Sequence, residues 1–268
     1  MPPQNDTTAP ADTDTKIVRA GDLEVGVIES GSGVPLVLVH GGESDRTQFT
    51  ALRSHFGPGI RAISYDQRDS GVTVNPPHPY TMSDLGDDIV ALLDALDLPK
   101  AHVLGTSFGG AVAQHAALRH PERIESLILV ATVPSWAVQS GVAEELLSLT
   151  HEERQRKALD LFFTPRGQAA QGDRVKVLVK RTPEQNARRE QVIRQHEVRD
   201  RLPEITVPTL IVHGSDDQVA PFAAAQVMQK EIPNARMQVI EGGRHAIATE
   251  FPDTVARWVR EFLGVDAA

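Results

Sequence analysis

Hydrophobic and polar positions follow two distinct patterns along the chain. Short apolar runs predict buried strands at 23–29, 34–40, 61–66, 102–104, 124–131, 209–213 and 237–240. Between them, apolar positions recur at helical spacing and predict helices at 82–96, 108–119, 222–232 and 252–263. Strands that alternate with helices in this way are typical of βαβ units. The pattern therefore predicts an α/β fold with a mostly parallel, doubly wound central sheet.

Two of these elements carry more specific expectations. The run VPLVLVH at 34–40 is almost continuously apolar, which predicts a strand buried on both faces. In the helix at 82–96 one apolar stripe should face the core, and Ser83 is a candidate N-cap residue. The stripe consists of Leu85, Ile89, Leu92, Leu93 and Leu96.

The segment 134–201 interrupts the alternation. Apart from RVKVLVK at 174–180 it has no strand pattern, and it looks helical. Residues 152–201 contain 13 Lys and Arg against 8 Asp and Glu, whereas the whole chain has a net charge of −9. Such an excess is typical of a solvated helix face. We expect a helical insertion at 134–201, a core formed by 16–133 and 202–268, and a disordered leader at 1–15.

Composition narrows the function classes. A chain of 268 residues, 40% of them hydrophobic, can form one substantial domain, and its net charge of −9 argues against general nucleic-acid binding. The chain contains no cysteine, which excludes disulfides, thiolate zinc sites and cysteine nucleophiles. The leader lacks the features of a secretory signal, and no apolar run is long enough to span a membrane. We therefore expect a cytoplasmic protein that needs neither nucleic acid nor membrane.

The stretch GTSFG at 105–109 places Ser107 between Gly105 and Gly109, after an apolar run and before a helix. In this context the spacing G-x-S-x-G is typical of a strained strand-to-helix turn that exposes a nucleophilic hydroxyl. The turn requires a positive φ at the serine, and side chains at the two glycine positions would collide with the strand or the helix. A serine N-cap in a glycine-rich turn is the alternative interpretation.

A serine nucleophile needs a general base, and the chain offers ten histidines. His245 lies in EGGRHAIATEF, where a loop between the last strand and the final helix reaches the carboxyl edge of the sheet. His115 and His120 are expected to be surface or packing residues. His40 should hydrogen-bond within its own loop, and His213 should pack beneath the site. The position of His245 in the predicted fold therefore favours it as the base.

The base in turn needs a carboxylate, and one turn offers two. Asp216 and Asp217 lie in HGSDDQVAP after a predicted strand, and either could instead cap the helix near Pro221. An oxyanion hole needs backbone N–H groups beside the nucleophile. The glycines of HGGES at 40–44 would let the backbone approach a substrate carbonyl closely, although HGG alone is also compatible with a flexible turn.

Together these segments resemble the α/β-hydrolase fold superfamily. The landmarks are VLVHGG, YDQRDSG, GTSFGGAVAQHAALRHPERI, LPEITVPTLIVHGSDDQVAP and EGGRHAIATEFPDTVARWVREFL, in the order expected for that fold. The resemblance covers residues 16–264 except the insertion, which would occupy the place of the family's cap domain. It implies these roles: Ser107 as nucleophile, His245 as general base, Asp217 as acid with Asp216 as second choice, and the backbone N–H groups of Gly42 and Phe108 as oxyanion donors.

Departures from the pattern exclude some relatives. Haloalkane dehalogenase-like and epoxide hydrolase-like members carry an aspartate at the elbow, where this chain has serine. Proline iminopeptidase-like members have HGGPG, whereas Glu43 and Ser44 follow HGG here. A solvated surface role is expected for Glu43. The candidate pocket residues are Gly41, Glu43, Trp136, Phe162 and Phe163, although most apolar cap residues, with Leu146, Leu147, Leu149 and Leu161 among them, should form the cap's own core.

The resemblance implies acyl transfer to water on a small carboxylic ester or lactone, with no metal and no organic cofactor. Hydrolysis of carbon–carbon bonds in ring-cleavage products, perhydrolysis resembling that of non-haem haloperoxidases, and ligand reception with slow turnover are alternatives that use similar scaffolds. The expected partners are a small ester-like molecule and water, and a homodimer is compatible with the sequence.

Overall fold

The computed structural model describes residues 15–136, 151–171 and 181–266. The strands in these ranges are β1 Lys16–Ala20, β2 Leu23–Gly31, β3 Gly33–Val39, β4 Gly59–Tyr65, β5 Ala101–Thr106, β6 Ile124–Val130, β7 Thr209–Gly214 and β8 Ala235–Ile240. They form one sheet in the order β1-β2-β4-β3-β5-β6-β7-β8. The β1–β2 and β2–β4 pairs are antiparallel and the remaining pairs are parallel, so the prediction of a mostly parallel sheet is confirmed.

Helices cover both faces of the sheet. The helices are α1 Thr50–His55, α2 Met82–Ala95, α3 Phe108–Arg119, α4 His151–Phe162, α5 Pro165–Gln171, α6 Pro183–Arg194, α7 Phe222–Glu231, α8 Ile247–Glu250 and α9 Pro252–Leu263. One hydrophobic core lies between the sheet and α2, α3 and α7, and a second lies between the sheet and α1, α8 and α9. Strand β3 contributes Val37 and Val39 to the first core and Leu36 and Leu38 to the second, which confirms that it is buried on both faces.

Two local predictions need correction. Helix α2 begins two residues earlier than a Ser83 cap requires, and Thr81 is its N-cap. The Thr81 hydroxyl accepts a hydrogen bond from the N–H of Asp84 at 3.2 Å, while the Asp84 carboxylate accepts one from the N–H of Thr81 at 2.7 Å. Strand β1 was not predicted, because an edge strand that buries only its last residue, Ala20, has almost no apolar signature.

The order of the strands reverses beside β3, which has β4 on one side and β5 on the other. In sheets of this kind the carboxyl ends of the strands at the reversal form a crevice. Strand β5 ends there at Thr106, and Ser107 follows directly.

The described parts of the insertion 134–201 contain α4, α5 and α6, in agreement with the helical prediction. The run at 174–180, the leader up to residue 14 and the leucines at 146, 147 and 149 lie outside the described residues. Within the ranges that the structure describes, no helix has the length and apolar character needed to cross a membrane. The division into leader, core and insertion remains a prediction.

Candidate active site

Ser107 occupies a sharp turn between β5 and α3. Its backbone has φ 51° and ψ −120°, a conformation that costs a non-glycine residue on the order of 1–3 kcal/mol. Hydrogen bonds from two sides hold this turn: the N–H of Ser107 donates to the carbonyl of Val130 at 2.9 Å, and its own carbonyl accepts from the Thr132 hydroxyl at 2.6 Å. The residue remains half-buried, so its hydroxyl is not sealed in the core.

The two glycines of the motif are required by close backbone contacts. A Cβ on Gly105 would lie 2.2 Å from the carbonyl oxygen of Gly109, and a Cβ on Gly109 would lie 2.1 Å from that of Val39. No side chain can be accommodated at such distances without a shift of the backbone. The predicted reason for G-x-S-x-G, together with the positive φ at the serine, is therefore confirmed.

The turn brings Ser107 to His245, which lies 138 positions away in the chain. The Oγ of Ser107 is 2.9 Å from Nε2 of His245, and Nδ1 of His245 is 2.8 Å from Oδ2 of Asp217. His245 lies in the loop between β8 and α8, and Asp217 lies in the turn after β7. Both side chains are almost fully buried. Hydroxyl, imidazole and carboxylate thus form one continuous hydrogen-bonded line.

The structure distinguishes the two candidate aspartates. Oδ1 of Asp217 accepts the backbone N–H groups of Val219 and Ala220 at 2.9 and 2.8 Å, which leaves Oδ2 to face His245. Asp216 is exposed, and its carboxylate contacts the hydroxyl of Ser215. Asp217 therefore also closes the turn before α7, but it does not cap that helix, whose N-cap is Pro221 without a side-chain hydrogen bond.

His213 packs beneath Asp217, as predicted. Its Nε2 donates to the carbonyl of Ala220 at 2.7 Å and lies 3.6 Å from Oδ2 of Asp217. Burial lowers the pKa of His213, and the nearby Asp217 carboxylate only partly opposes this effect. A neutral His213 leaves the Asp217 carboxylate with its full negative charge toward His245.

The loop after β3 lies against the elbow and is held by buried side chains. Nδ1 of His40 donates to the carbonyl of Gly41 at 2.7 Å, and its Nε2 accepts the N–H of Gln67 at 3.1 Å. Burial lowers the pKa of His40 to about 3, so the imidazole is neutral and this tautomer is the one required. Gln48 accepts the N–H of Gly41 at 2.8 Å and donates to the Thr106 hydroxyl at 3.0 Å.

Two backbone N–H groups beside Ser107 are available to a ligand. Within the described residues, no group accepts a hydrogen bond from the N–H of Gly42 or of Phe108. The two residues face each other, since a Cβ on Gly42 would lie 3.5 Å from Cβ of Phe108. Phe108 is the first residue of α3, whose N-terminal end favours nearby negative charge. The arrangement has the donors that an oxyanion hole requires.

The candidate pocket residues separate into two groups. The Phe162 ring lies 5.1 Å from the His245 ring, and a Cβ on Gly41 would lie 3.7 Å from Cβ of Ser107. Trp136 instead packs against His196 at 6.4 Å, and Phe163 is buried with its carbonyl 3.1 Å from Nη1 of Arg244. The structure therefore brings Gly41 and Phe162 to the site and places Trp136 against His196, while Phe163 is buried beside Arg244.

Glu43 is exposed, as predicted, but it lies 3.6 Å from Nη1 of Arg181 in the insertion. The side chain of Arg181 is only 1% exposed, and Arg189 is 2% exposed. For these two arginines the interpretation of the insertion as a solvated charged face is wrong. Gln48, Gln67, Arg181 and Arg189 were all missed, because nothing in their local sequence distinguishes a buried polar residue from a solvated one.

In the portion of the chain that the structure describes, no group of three or more His, Asp or Glu side chains is arranged to hold a metal ion. The groups that converge on Ser107 are an imidazole, a carboxylate and backbone amides, which together can transfer a proton and stabilise an oxyanion.

A parallel sheet with a serine elbow at the carboxyl end of a central strand is the architecture of α/β-hydrolase-type proteins. The sequence profile described as "Alpha/beta hydrolase family" matches residues 36–258 of this chain. The chain belongs to the alpha/beta hydrolase family. Several of its relatives are named as hydrolases, and one, of Synechocystis sp., is named "Putative non-heme chloroperoxidase" at 28% identity over 91% of this chain and 96% of that protein.

Individual relatives differ in the bond that their names specify. "Putative carbamate hydrolase RutD" of Caulobacter sp. is 28% identical, over 82% of this chain and 85% of that protein. "2-hydroxymuconate semialdehyde hydrolase" of Pseudomonas putida is 26% identical over 92% of each chain. The crystal structure of a hydrolase from Pseudomonas aeruginosa superposes with a TM-score of 0.83 at 27% identity, and the match covers 94% of this chain and 99% of that one.

Proposed function

We propose that the protein is a serine hydrolase that cleaves a small carboxylic ester or lactone through an acyl-enzyme on Ser107. The observation that carries the proposal is the hydrogen-bonded line of Asp217, His245 and Ser107, with separations of 2.8 and 2.9 Å. This geometry meets the requirement that a nucleophile be within hydrogen-bond reach of a base that a third group orients.

In the proposed reaction, Nε2 of His245 takes the proton of Ser107 while Oγ forms a bond to the substrate carbonyl carbon. The N–H groups of Gly42 and Phe108 stabilise the resulting oxyanion. The intermediate collapses, the bond to the leaving oxygen breaks, and His245 returns the proton to that oxygen. A water molecule then attacks the acyl carbon with the same proton transfers, and it releases the acid and the free serine.

Asp217 has a supporting role in both steps. Its carboxylate accepts the Nδ1 hydrogen of His245, which directs the basic Nε2 toward Ser107 and stabilises the imidazolium when it forms. The insertion 134–201 would act as a cap, because Phe162 covers one side of the His245 ring. A small molecule and water are the partners that this chemistry requires.

Hydrolysis of a carbon–carbon bond is the second candidate. The Pseudomonas putida relative, matched over 92% of both chains, is named as a semialdehyde hydrolase. The same nucleophile and base would serve that reaction, so the choice between the two depends on the substrate.

The decisive experiment compares the parent enzyme with Ser107→Ala on p-nitrophenyl esters of graded acyl length, lactones, carbamates and a ring-cleavage semialdehyde. We expect the alanine variant to lose about 10⁴-fold or more in kcat/KM while its circular dichroism and melting temperature stay close to the parent. Ser54→Ala, at an exposed position of α1, is the matched control and should retain activity.

The outcomes separate the candidates. Ester or lactone turnover that Ser107→Ala abolishes supports the proposal. Turnover of the semialdehyde alone supports the second candidate. Ester hydrolysis by Ser107→Ala at the parent rate contradicts the assignment of the nucleophile.

A further inference from the structure

A second layer of contacts reaches the oxyanion loop from the insertion. Arg181 lies one residue before Thr182, the N-cap of α6, and its Nη2 donates to the carbonyl of Gly42 at 2.5 Å. Its Nε donates to the carbonyl of Asp69 at 2.9 Å, and Nη2 also contacts the hydroxyl of Ser70 at 3.3 Å. The guanidinium therefore joins the insertion to two separate loops of the core.

Arg189, in α6, contacts the opposite side of the hole. Its guanidinium carbon lies 4.4 Å from the centre of the Phe108 ring, a cation–π arrangement. Its Nη2 donates to the carbonyl of Arg68 at 2.7 Å and to the Ser70 hydroxyl at 3.0 Å. Gly42 and Phe108, the two candidate oxyanion donors, are thus each contacted by one arginine of the insertion.

Burial of the Arg181 guanidinium removes its hydration, which has a cost in free energy that its contacts with the protein must offset. Its side chain is 1% exposed, and Nη1 is closed to solvent with no hydrogen-bond acceptor among the described residues. A guanidinium that binds a substrate anion would keep one edge free of protein charge, whereas Nη1 of Arg181 lies 3.6 Å from the carboxylate of Glu43. Its contacts are instead those of a side chain that holds backbone in place.

Gly42 needs such support more than other residues do. Without a Cβ, a glycine has wide freedom in φ and ψ, so the two peptide groups that flank Gly42 can rotate relative to each other. His40 fixes the preceding peptide through the Gly41 carbonyl, at 2.7 Å. Arg181 fixes the following peptide through the Gly42 carbonyl. The first peptide carries the Gly42 N–H, and anchoring both peptides keeps that N–H from turning about the backbone of Gly42. Only the first of the two contacts comes from the core.

We propose that Arg181 is a positioning residue that completes the oxyanion hole from the insertion. The hole is then fully formed only when the insertion is docked on the core, so docking and catalysis are coupled through one guanidinium. This inference rests on the proposed function, because it gives the Gly42 N–H the role of an oxyanion donor.

The test uses the full chain with Arg181→Met, which keeps the length of the side chain and removes its donors, and Arg181→Lys, which keeps the charge. Misdirecting one donor should lower kcat for a neutral ester about 10- to 100-fold and change KM less than about 3-fold, because the oxyanion exists only after attack. The inhibition constant of an alkyl boronic acid, whose adduct places an oxyanion in the hole, should rise by the same factor. Arg181→Lys should recover part of the loss.

Arg188→Gln is the matched control. Arg188 lies in the same helix and pairs with Asp69 at 2.8 and 2.7 Å, so it also docks the insertion, but it does not contact the oxyanion loop. Its replacement should lower stability and leave the ratio of boronate to substrate affinity unchanged. If Arg188→Gln loses as much kcat as Arg181→Met, the loss reflects weaker docking of the insertion and not the contact of Arg181 with Gly42. That result would overturn the inference.

Other results would overturn it as well. Parent-like kcat in Arg181→Met, or a rise in KM restricted to carboxylate-bearing esters, would assign Arg181 no role in the hole. The rate of labelling of Ser107 by a fluorophosphonate separates the two proposals and requires no substrate. If the parent enzyme is not labelled, the proposed function is contradicted. If the parent and Arg181→Lys are labelled at the same rate, only this inference is contradicted. The second comparison can be made even if Arg181→Met does not fold.

Discussion

The two sides of the site are built in different ways. On the core side, Ser107, Asp217 and His245 follow the ends of β5, β7 and β8, and backbone contacts place them. On the insertion side, Arg181 reaches the site through side-chain hydrogen bonds and an ion pair, and Phe162 through a backbone hydrogen bond from Ala246 and a ring contact with His245. The core side therefore depends on the packing of strands and helices, whereas the insertion side depends on polar groups that have lost water.

This difference has consequences for how each side responds to change. A glycine whose Cβ position lies 2.1 Å from a neighbouring carbonyl oxygen tolerates no side chain, and no change of pH alters that contact. A buried charge destabilises the folded protein when its hydrogen-bond partner is removed by substitution or changes its charge by titration. We expect substitutions on the core side to act mainly on turnover, and substitutions at the insertion contacts to act first on docking of the insertion.

The largest effect should come from Asp217→Asn on the core side. The amide would no longer hold the Nδ1 hydrogen of His245, and kcat should fall about 10³- to 10⁴-fold, with the fold retained. Asp216→Asn, one residue away and exposed, is the matched control and should stay near the parent. Equal losses in the two variants, measured on the best ester of the panel, would show that the hydrogen bond to His245 is not what matters.

A smaller effect is expected where the insertion meets the loop of His245. Glu250, in α8, accepts the N–H of Thr164 at 3.0 Å and also its hydroxyl, while the N–H of Ala246 donates to the carbonyl of Phe162 at 2.8 Å. Glu250→Ala removes the first two bonds and should lower the free energy of unfolding by about 1–2 kcal/mol in urea titrations.

Glu261→Ala is the control for this variant. Glu261 is exposed in α9 and pairs only with Arg257 at 3.1 Å among the contacts described, so its loss should cost less than about 0.5 kcal/mol. If the two glutamates prove equivalent, the insertion is not held by Glu250, and the difference between the two sides of the site is smaller than the structure indicates.

The last effect is spread over a range of pH and concerns a second junction of the insertion with the core. Nδ1 of His196 lies 3.3 Å from Nε2 of His115 in α3, and its Nε2 lies 3.0 Å from the carbonyl of Val133. Burial lowers the pKa of both histidines from 6.5 to about 4. Between these values the unfolded chain binds protons that the folded chain does not, so stability should fall as the pH falls from about 6.5 to 4.

Urea titrations at several pH values measure this slope. Each buried histidine contributes about 1.4 kcal/mol per pH unit at most, and His196→Asn should remove one such contribution. His78→Asn, at an exposed position, should leave the slope unchanged. If the stability of His196→Asn depends on pH as steeply as that of the parent, His196 does not contribute to the slope and this junction does not take up the proton.

Local chemistry explains why much of the fold was predictable. The strands at 34–40 and 124–131, the helix at 82–96 and the elbow at Ser107 each follow from a period, a cap or a glycine requirement that neighbouring residues contain. Where two local signals compete, prediction was less accurate. Thr81 and Ser83 are both adequate caps, and only the hydrogen bonds with Asp84 distinguish them.

The sequence by itself determined the α/β fold, the serine turn and the three residue types that meet there, because periodicity and turn chemistry are properties of short segments. Only the tertiary structure decided that Asp217 rather than Asp216 faces His245, and that Arg181 is buried on the Gly42 carbonyl instead of solvated. Both outcomes depend on which segments meet, 28 positions apart in one case and 139 in the other, and on which side chains lose water when they do. A sequence pattern records neither.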